Sequence, residues 1–184
     1  MNTKIIIFLF FSILVISCEN DMAEVAQYFE KDDVQVVEAR DVEIFYSDSA
    51  VVRVVIKGPR LLNYVDGKNP RAEFVEGLVA DFYDKQHIAQ SRLVAKFGVK
   101  YDTKNIIIVR DSVVVTTIRN EKLETEELIW NEKTGTIETD KFVKMSSPKE
   151  VVYGYGLEAN DDFSYWKIKA VTGRMDAEDI VKEF

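Results

Sequence analysis

Residues 93–118 read LVAKFGVKYDTKNIIIVRDSVVVTTI. Three runs, Leu93–Tyr101, Ile106–Val109 and Ser112–Ile118, are dense in β-branched and aromatic residues, with turn residues between them. Such side chains lose rotamer freedom in a helix but fit a pleated, half-buried surface. The same rhythm extends in both directions. Leu123–Trp130, Thr136–Met145, Val151–Leu157 and Tyr165–Val171 follow; Val42-x-Ile44-x-Tyr46, Val51–Ile56 and Phe74–Tyr83 precede, the last with Leu78, Ala80 and Phe82 on one face. Ser47–Ser49, Asp66-Gly67 and Asp84–His87 punctuate them. From Val34 to residue 176 no stretch keeps a 3.6-residue period; only the tail 177–184 does. Roughly nine to eleven strands with turns every ten residues or so predict an all-β sandwich, barrel or jelly roll.

Two details concern register. Leu123 and Thr125 are odd-numbered, whereas Leu128 and Trp130 are even. One face can hold all four only if a β-bulge or kink sits near Glu126-Glu127. Ala39-Arg40-Asp41-Val42 and Val109-Arg110-Asp111-Ser112 echo each other faintly, too weakly for a repeat.

The 184 residues are 47% hydrophobic and 30% charged, which excludes disorder and collagen-like sequence and allows one domain with a real core. A net charge of -8 argues against a nucleic-acid partner. One Cys and one His exclude disulfide scaffolds, Cys/His zinc sites and nucleophilic triads.

Residues 1–17 read as a lipoprotein signal peptide. Lys4 supplies the positive end, and Ile5–Ile16 form an apolar run broken only by Ser12. As a helix that run spans about 18 Å, short of the roughly 30 Å hydrocarbon core. It ends in Val15-Ile16-Ser17-Cys18, which resembles a bacterial lipobox, so Cys18 is the expected lipidation site and the first residue of the mature chain. Several acyl chains on one Cys make an effectively permanent membrane anchor. Residues 18–33 are an acidic tether, with a helical turn expected around Ala23–Phe29.

Candidates for chemistry are few. His87 sits in a tight turn, where a left-handed residue is often needed. Glu124 and Glu126 share a strand face, most simply the wet one, and with Glu127 they offer no acid pair across a cleft. Glu158, Asp161 and Asp162 lack a calcium-loop spacing and read as a polar turn. Tyr153-Gly154-Tyr155-Gly156 has no helix after it, so its glycines serve curvature or close backbone approach rather than phosphate. Ser49 and Ser112 lie in short Asp-Ser-Ala and Asp-Ser-Val matches to an O-glycosylation pattern. No cofactor is expected. The many large apolar residues, Phe74, Phe82, Phe97, Trp130, Phe142, Tyr155, Phe163 and Trp166 among them, make either a normal core or two sheets held slightly apart around an apolar guest.

Three blocks together resemble a known family: Leu93-Val-Ala-Lys-Phe97-Gly-Val-Lys-Tyr101; Glu121–Asn131 continuing through Gly135–Val143; and Tyr153-Gly-Tyr-Gly156-Leu157-Glu-Ala159-Asn160. They are similar to LptC, the periplasmic component of lipopolysaccharide export, over roughly residues 35–175. The resemblance implies a twisted β-jelly roll, or open β-sandwich of the OstA/LptA type, with a hydrophobic groove. It implies no catalysis. It implies that lipopolysaccharide is received from an LptB/LptF/LptG transporter and passed to an LptA-like bridge, with partners joined by strand addition at sheet edges. It also favours the periplasmic face of the inner membrane. Many members are held by a transmembrane helix, whereas the lipobox here suggests a lipidated branch.

Strand parity then places Ile44, Val54, Leu78, Phe82, Leu93, Phe97, Val115, Leu128, Trp130 and Leu157 on the inner face, as candidates to line the groove for acyl chains. The mature chain carries a charge near -9, because Lys4 is lost, so affinity for an anionic lipid would come from apolar burial. The alternative is a closed envelope lipoprotein with a structural or protein-binding role; an envelope glycan hydrolase would need an acid pair that no strand supplies.

Overall fold

The computed structural model describes residues 35–65 and 69–176. The expected signal peptide, Cys18, the expected tether with its helical turn, Asp66-Gly67 and the tail 177–184 lie outside the described residues. The strands are β1 (Val36–Asp48), β2 (Val51–Tyr64), β3 (Arg71–Phe74), β4 (Leu78–Tyr83), β5 (Ala89–Ala95), β6 (Phe97–Tyr101), β7 (Ile106–Thr117), β8 (Lys122–Asn131), β9 (Thr136–Ser146), β10 (Glu150–Asn160) and β11 (Trp166–Asp176). All pair antiparallel in the order β11-β10-β9-β8-β7-β5-β4-β2-β3-β6, with β1 beside β2 and β6 returning to β7. The architecture is all-β, as the strand pattern predicts, and the sheet is consistent with the jelly roll or sandwich that the resemblance implies.

One crease organises this sheet. Every long strand bends as it crosses the crease, passing from one leaf to the other. β7 shows it directly: Ser91–Val94 of β5 pair with its second half, and Phe97–Tyr101 of β6 pair with its first. Leaf one therefore holds 42–48, 51–57, β4, β5, 113–117, 122–125, 143–146 and 150–155. Leaf two holds 36–40, 60–64, β3, β6, 106–110, 128–131, 136–139 and 157–160. The crossings carry residues that tolerate the left-handed region: Asp41 (φ 50), Gly77 (φ 90), Asp111 (φ 64), Ser112 (φ 58) and Gly156 (φ 73). The faint echo around Asp41 and Asp111 marks two of these corners.

Inward residues obey a rule at the crease. Strands running from leaf one to leaf two skip three positions: Gly58 to Leu61, Ala95 to Gly98, Thr125 to Leu128 and Gly154 to Leu157. Those running back skip four: Phe74 to Leu78, Val109 to Val113 and Thr139 to Val143. Antiparallel neighbours thus take paths of different length around one corner, and the register shifts there follow. The irregularity expected at Glu126-Glu127 is present, but the extra residue belongs to the neighbours. β7 advances from Arg110 to Val113 while β8 covers only Glu127 to Thr125, and β9 is longer than β8 across the same bend.

Two segment readings change for the same reason. Phe74–Tyr83 and Leu93–Tyr101 each divide at the crease, at Gly77 and at Lys96, whereas Ile106–Thr117 is one bent strand rather than two. The Lys96 amide donates to the Asp111 carbonyl at 3.1 Å, fastening one corner to the next.

The core lies between the leaves. Leu157 and Val143 are fully buried, and Val113, Val115, Leu123, Leu128 and Ile137 are 1% exposed. Each such side chain contributes roughly 1.5–3 kcal/mol relative to exposure. Phe142 and Tyr155, counted among the large apolar residues, instead stand on the outer surface at 44% and 55% exposure, with their ring centroids 5.4 Å apart.

Candidate functional site

The space between the leaves is lined only by apolar side chains. Ile56, Leu78, Ala80, Phe82 and Leu93 come from leaf one; Ile107, Val109, Leu128, Trp130 and Ile137 come from leaf two. The remaining cavity is about 20 Å³, room for about one water molecule. A larger open depression of about 820 Å³ lies at the crease, among Asp41, Glu43, Lys57, Pro59, Glu76 and Lys96. Val42, Leu78, Val79 and Val94 line it as well, but it is open to solvent and carries charged side chains, so the enclosed, wholly apolar interior is the better candidate for an apolar guest.

Register defines a mouth opposite the crease. On leaf one a cross-strand row runs Tyr46, Val54, Phe82, Ser91, Thr117. On leaf two the corresponding row runs Lys100, Ile107, Trp130, Ile137, Ala159, Trp166. Aromatic rings from the two leaves alternate across the gap. Tyr46 meets Trp130 edge-on at 5.9 Å, Trp130 meets Phe82 at 5.9 Å, and Phe82 meets Phe163 at 6.2 Å. Such contacts contribute about 0.5–1.5 kcal/mol each beyond area burial. Phe163 comes from the turn between β10 and β11, yet is only 1% exposed.

Polar contacts also cross the mouth. The Lys100 ammonium lies 4.9 Å from the Tyr46 ring centroid and pairs with Asp102 and Glu132. Burial raises the Tyr46 phenol above its usual value, which keeps it neutral. Burial opposes the charge on Lys100, but Tyr46, Glu132 and Asp102 outweigh it and raise Lys100 above the ordinary lysine value. At the other end Arg119, in the β7–β8 turn, donates to the Phe163 carbonyl at 2.8 Å and pairs with Glu121 at 2.7 Å. Two buried polar atoms at this level, Ser91 Oγ and Trp130 Nε1, have no hydrogen-bond partner. Unmet buried donors of this kind are costly.

Nine of the ten residues proposed for the inner face lie in or against the core cluster. Val54, Leu78, Phe82, Leu93, Val115, Leu128 and Leu157 are buried in it, and Ile44 and Trp130 pack against it half-buried. Phe97 is the correction. A Cβ on Gly98 would meet Leu78 at 2.6 Å and Val109 at 3.6 Å, so Gly98 faces inward and Phe97 points outward, outside the cluster. The break at Lys96 reverses parity, which uninterrupted alternation could not reveal. The inner-face candidates include neither Tyr46, Arg119 nor Phe163; Phe163 counts among the large apolar residues expected in the core or around a guest, but in a turn beside Asp161-Asp162 it has no strand parity to place it.

The remaining candidates have structural roles. His87 adopts φ 61, donates its amide to the Asp84 carbonyl at 3.0 Å and stacks on Tyr83. Glu124 pairs with Lys122 and Lys144, and Glu127 pairs with Arg110 and Lys141. Among the described residues, no group of three His, Cys, Asp or Glu side chains is placed to hold a metal ion. A Cβ on Gly154 would stand 2.4 Å from the Ala170 carbonyl oxygen, a close backbone approach that only glycine permits.

Among curated proteins, none matches the chain. A family model described as "Lipopolysaccharide-assembly, LptC-related" matches residues 22–176. That family is a non-enzymatic component of lipopolysaccharide export, periplasmic and associated with the inner membrane. Among the described residues no helix is long and apolar enough to cross a membrane. With the match running through every strand of the creased sheet, the chain belongs to the LptC-related family.

Proposed function

We propose that this protein is a non-catalytic transfer module that takes the acyl chains of lipopolysaccharide between its two leaves and hands them on. The observation that carries this reading is an interior of exclusively apolar lining, reached through an aromatic mouth where the leaves meet by a few rings and hydrogen bonds. Nine residues, Ile44, Val54, Leu78, Phe82, Leu93, Val115, Leu128, Trp130 and Leu157, would contact lipid; Phe97 would not. Affinity would come from apolar burial at about 25 cal/mol per Å². The anionic sugar-phosphate headgroup stays outside, away from a chain of net negative charge.

In this reading lipopolysaccharide arrives from an LptB/LptF/LptG transporter and leaves to an LptA-like bridge. Among the described residues β1 pairs only with β2 and β11 only with β10, so each end of the sheet offers an open edge for strand augmentation. Val36 and Val37 on one edge and Val171 and Met175 on the other are exposed. Lipidated Cys18 would tether the module at the periplasmic face of the inner membrane, with residues 18–33 as the leash. A second reading, a closed β-sandwich with a structural or protein-binding role, is favoured by the 20 Å³ volume of the cavity.

Native mass spectrometry separates the two readings. The protein mixed with lipopolysaccharide should give a one-to-one adduct, absent with a simple phospholipid and weakened by Phe82→Asp. A folded protein that forms no adduct would favour the closed sandwich.

A further inference from the structure

The lipid-transfer reading leaves a geometric problem, because the interior cavity of about 20 Å³ is too small for an acyl chain. What occupies the mouth at the β10 end is part of the chain itself. Phe163 leaves the turn after β10, enters between the leaves and packs edge-on against Phe82, one of the side chains that line the interior. Its backbone adopts φ 55, a conformation that a bulky aromatic residue takes only under constraint. The constraint is visible. Its amide donates to the Asn160 carbonyl at 3.1 Å, and its carbonyl accepts from Arg119, which belongs to the opposite leaf. The Arg53 guanidinium, also of leaf one, lies within Coulombic reach of Asp161 in the same turn. Elsewhere along this turn the Asp161 amide donates to the Gly135 carbonyl in the β8–β9 turn at 3.0 Å, and the other bonds are local: Asn160 Oδ1 accepts from the Tyr165 amide, and Asp162 Oδ1 accepts from the Ser164 amide.

Resting on the lipid-transfer reading, we infer that the Asn160–Tyr165 turn is a gate on the groove, in which Phe163 fills the seat of an incoming acyl chain and Arg119 latches it shut. Release of Arg119 from the Phe163 carbonyl frees the Phe163 end of the turn, which pivots about the Asp161–Gly135 hydrogen bond, relaxes the strained φ and vacates a phenyl-sized space contiguous with the interior. An acyl chain then replaces one apolar occupant with another, so the exchange is nearly balanced. That balance is what a carrier needs if it is to load and unload. The closed gate also shields the interior from water, and from partner-free collapse onto other apolar surfaces, when no lipid is aboard.

The test compares the wild-type protein with Arg119→Met, which keeps the aliphatic stem but removes the donor, and with Phe163→Ala. Two quantities are read: hydrogen exchange at the Phe163 and Tyr165 amides, and the association rate of a dansyl-labelled long-chain fatty acid. Protection of the β8 and β9 amides confirms that each variant is folded. Arg119→Met should speed exchange in the turn by about tenfold or more, the loss of one charged hydrogen bond, and speed probe association by a similar factor. Phe163→Ala should speed association further and also tighten binding. Probe binding by the wild type at a rate unchanged in both variants would overturn the gate and leave the lipid reading intact. Unchanged exchange in the turn of Arg119→Met would also overturn it. If no form binds the probe while the turn loosens as expected, the lipid reading itself falls.

Discussion

Gly154→Ala is expected to weaken the β11 edge, and its size follows from the structure. At this point the β10–β11 register shifts between Tyr153 and Gly154, which carries the β11 backbone across the Gly154 Cα. An added Cβ would sit 2.4 Å from the Ala170 carbonyl oxygen, 3.1 Å from its carbon and 2.5 Å from Ile168 Cγ2. The first two atoms are backbone of a paired strand, so relief requires β11 to move rather than a side chain to turn. Overpacking of this kind costs about 1–3 kcal/mol. For a domain of this size that lowers Tm by about 3 °C per kcal/mol. Gly173→Ala on the same edge is the control. Its Cβ would meet only Tyr153 Cδ2, at 3.7 Å, an ordinary contact. It should be neutral or stabilise by up to about 1 kcal/mol by restricting the unfolded chain. Urea unfolding of both variants gives the difference, and hydrogen exchange shows whether Gly154→Ala loosens β11 before the rest. A Gly154→Ala protein within about 0.5 kcal/mol of wild type, or a Gly173→Ala protein equally damaged, would refute the reasoning.

Other consequences are independent of the edge. Leu157→Ala, at a fully buried position, should cost about 3 kcal/mol in urea unfolding. Trp130→Phe should cost less than about 1.5 kcal/mol despite the smaller ring, because it removes a buried N–H that has no acceptor; a loss like that of Leu157→Ala would show that the indole N–H is satisfied. A photo-crosslinker at Trp130 should capture lipopolysaccharide and one at Phe97 should not, and equal capture at both would place Phe97 back in the groove. Asp161 is raised above the usual carboxylate range by burial and by Asp162, with Arg53 partly offsetting them. Its folded form therefore binds the proton more tightly than the unfolded chain does. The stability it contributes is complete below the unfolded pKa and is lost as pH rises through the folded pKa. Asp161→Asn should flatten the stability curve across that acid window and exceed wild type at neutral pH. A mutant curve parallel to wild type would refute the assignment.

The β-branched runs, their spacing and the parity within each straight segment were legible residue by residue, because alternation with period two is local chemistry. That is why Val54, Leu78, Phe82, Leu93, Val115, Leu128 and Leu157 could be assigned inward before any coordinates, and why the parity conflict in β8 pointed to a kink. Phe97 failed where the conflict had no second apolar residue to expose it. The run Leu93–Tyr101 alternates plausibly on either side of Lys96, and nothing in it announces the reversal. Once the crease is known, the sequence does carry a trace of it, in inward spacings of three and four that alternate strand by strand, and in the Arg-Asp pairs at Arg40-Asp41 and Arg110-Asp111.

What the chain determined alone was therefore its strands and the apolar faces of their straight segments, which follow from neighbours in sequence. The tertiary structure decided where the strands turn, because a corner is stable only when every adjacent strand turns at the same level. It also decided where Phe163 would be buried and that Arg119 would hold it, since these contacts cross to the other leaf, 44 residues apart along the chain for Arg119 and Phe163 and 81 for Phe82 and Phe163.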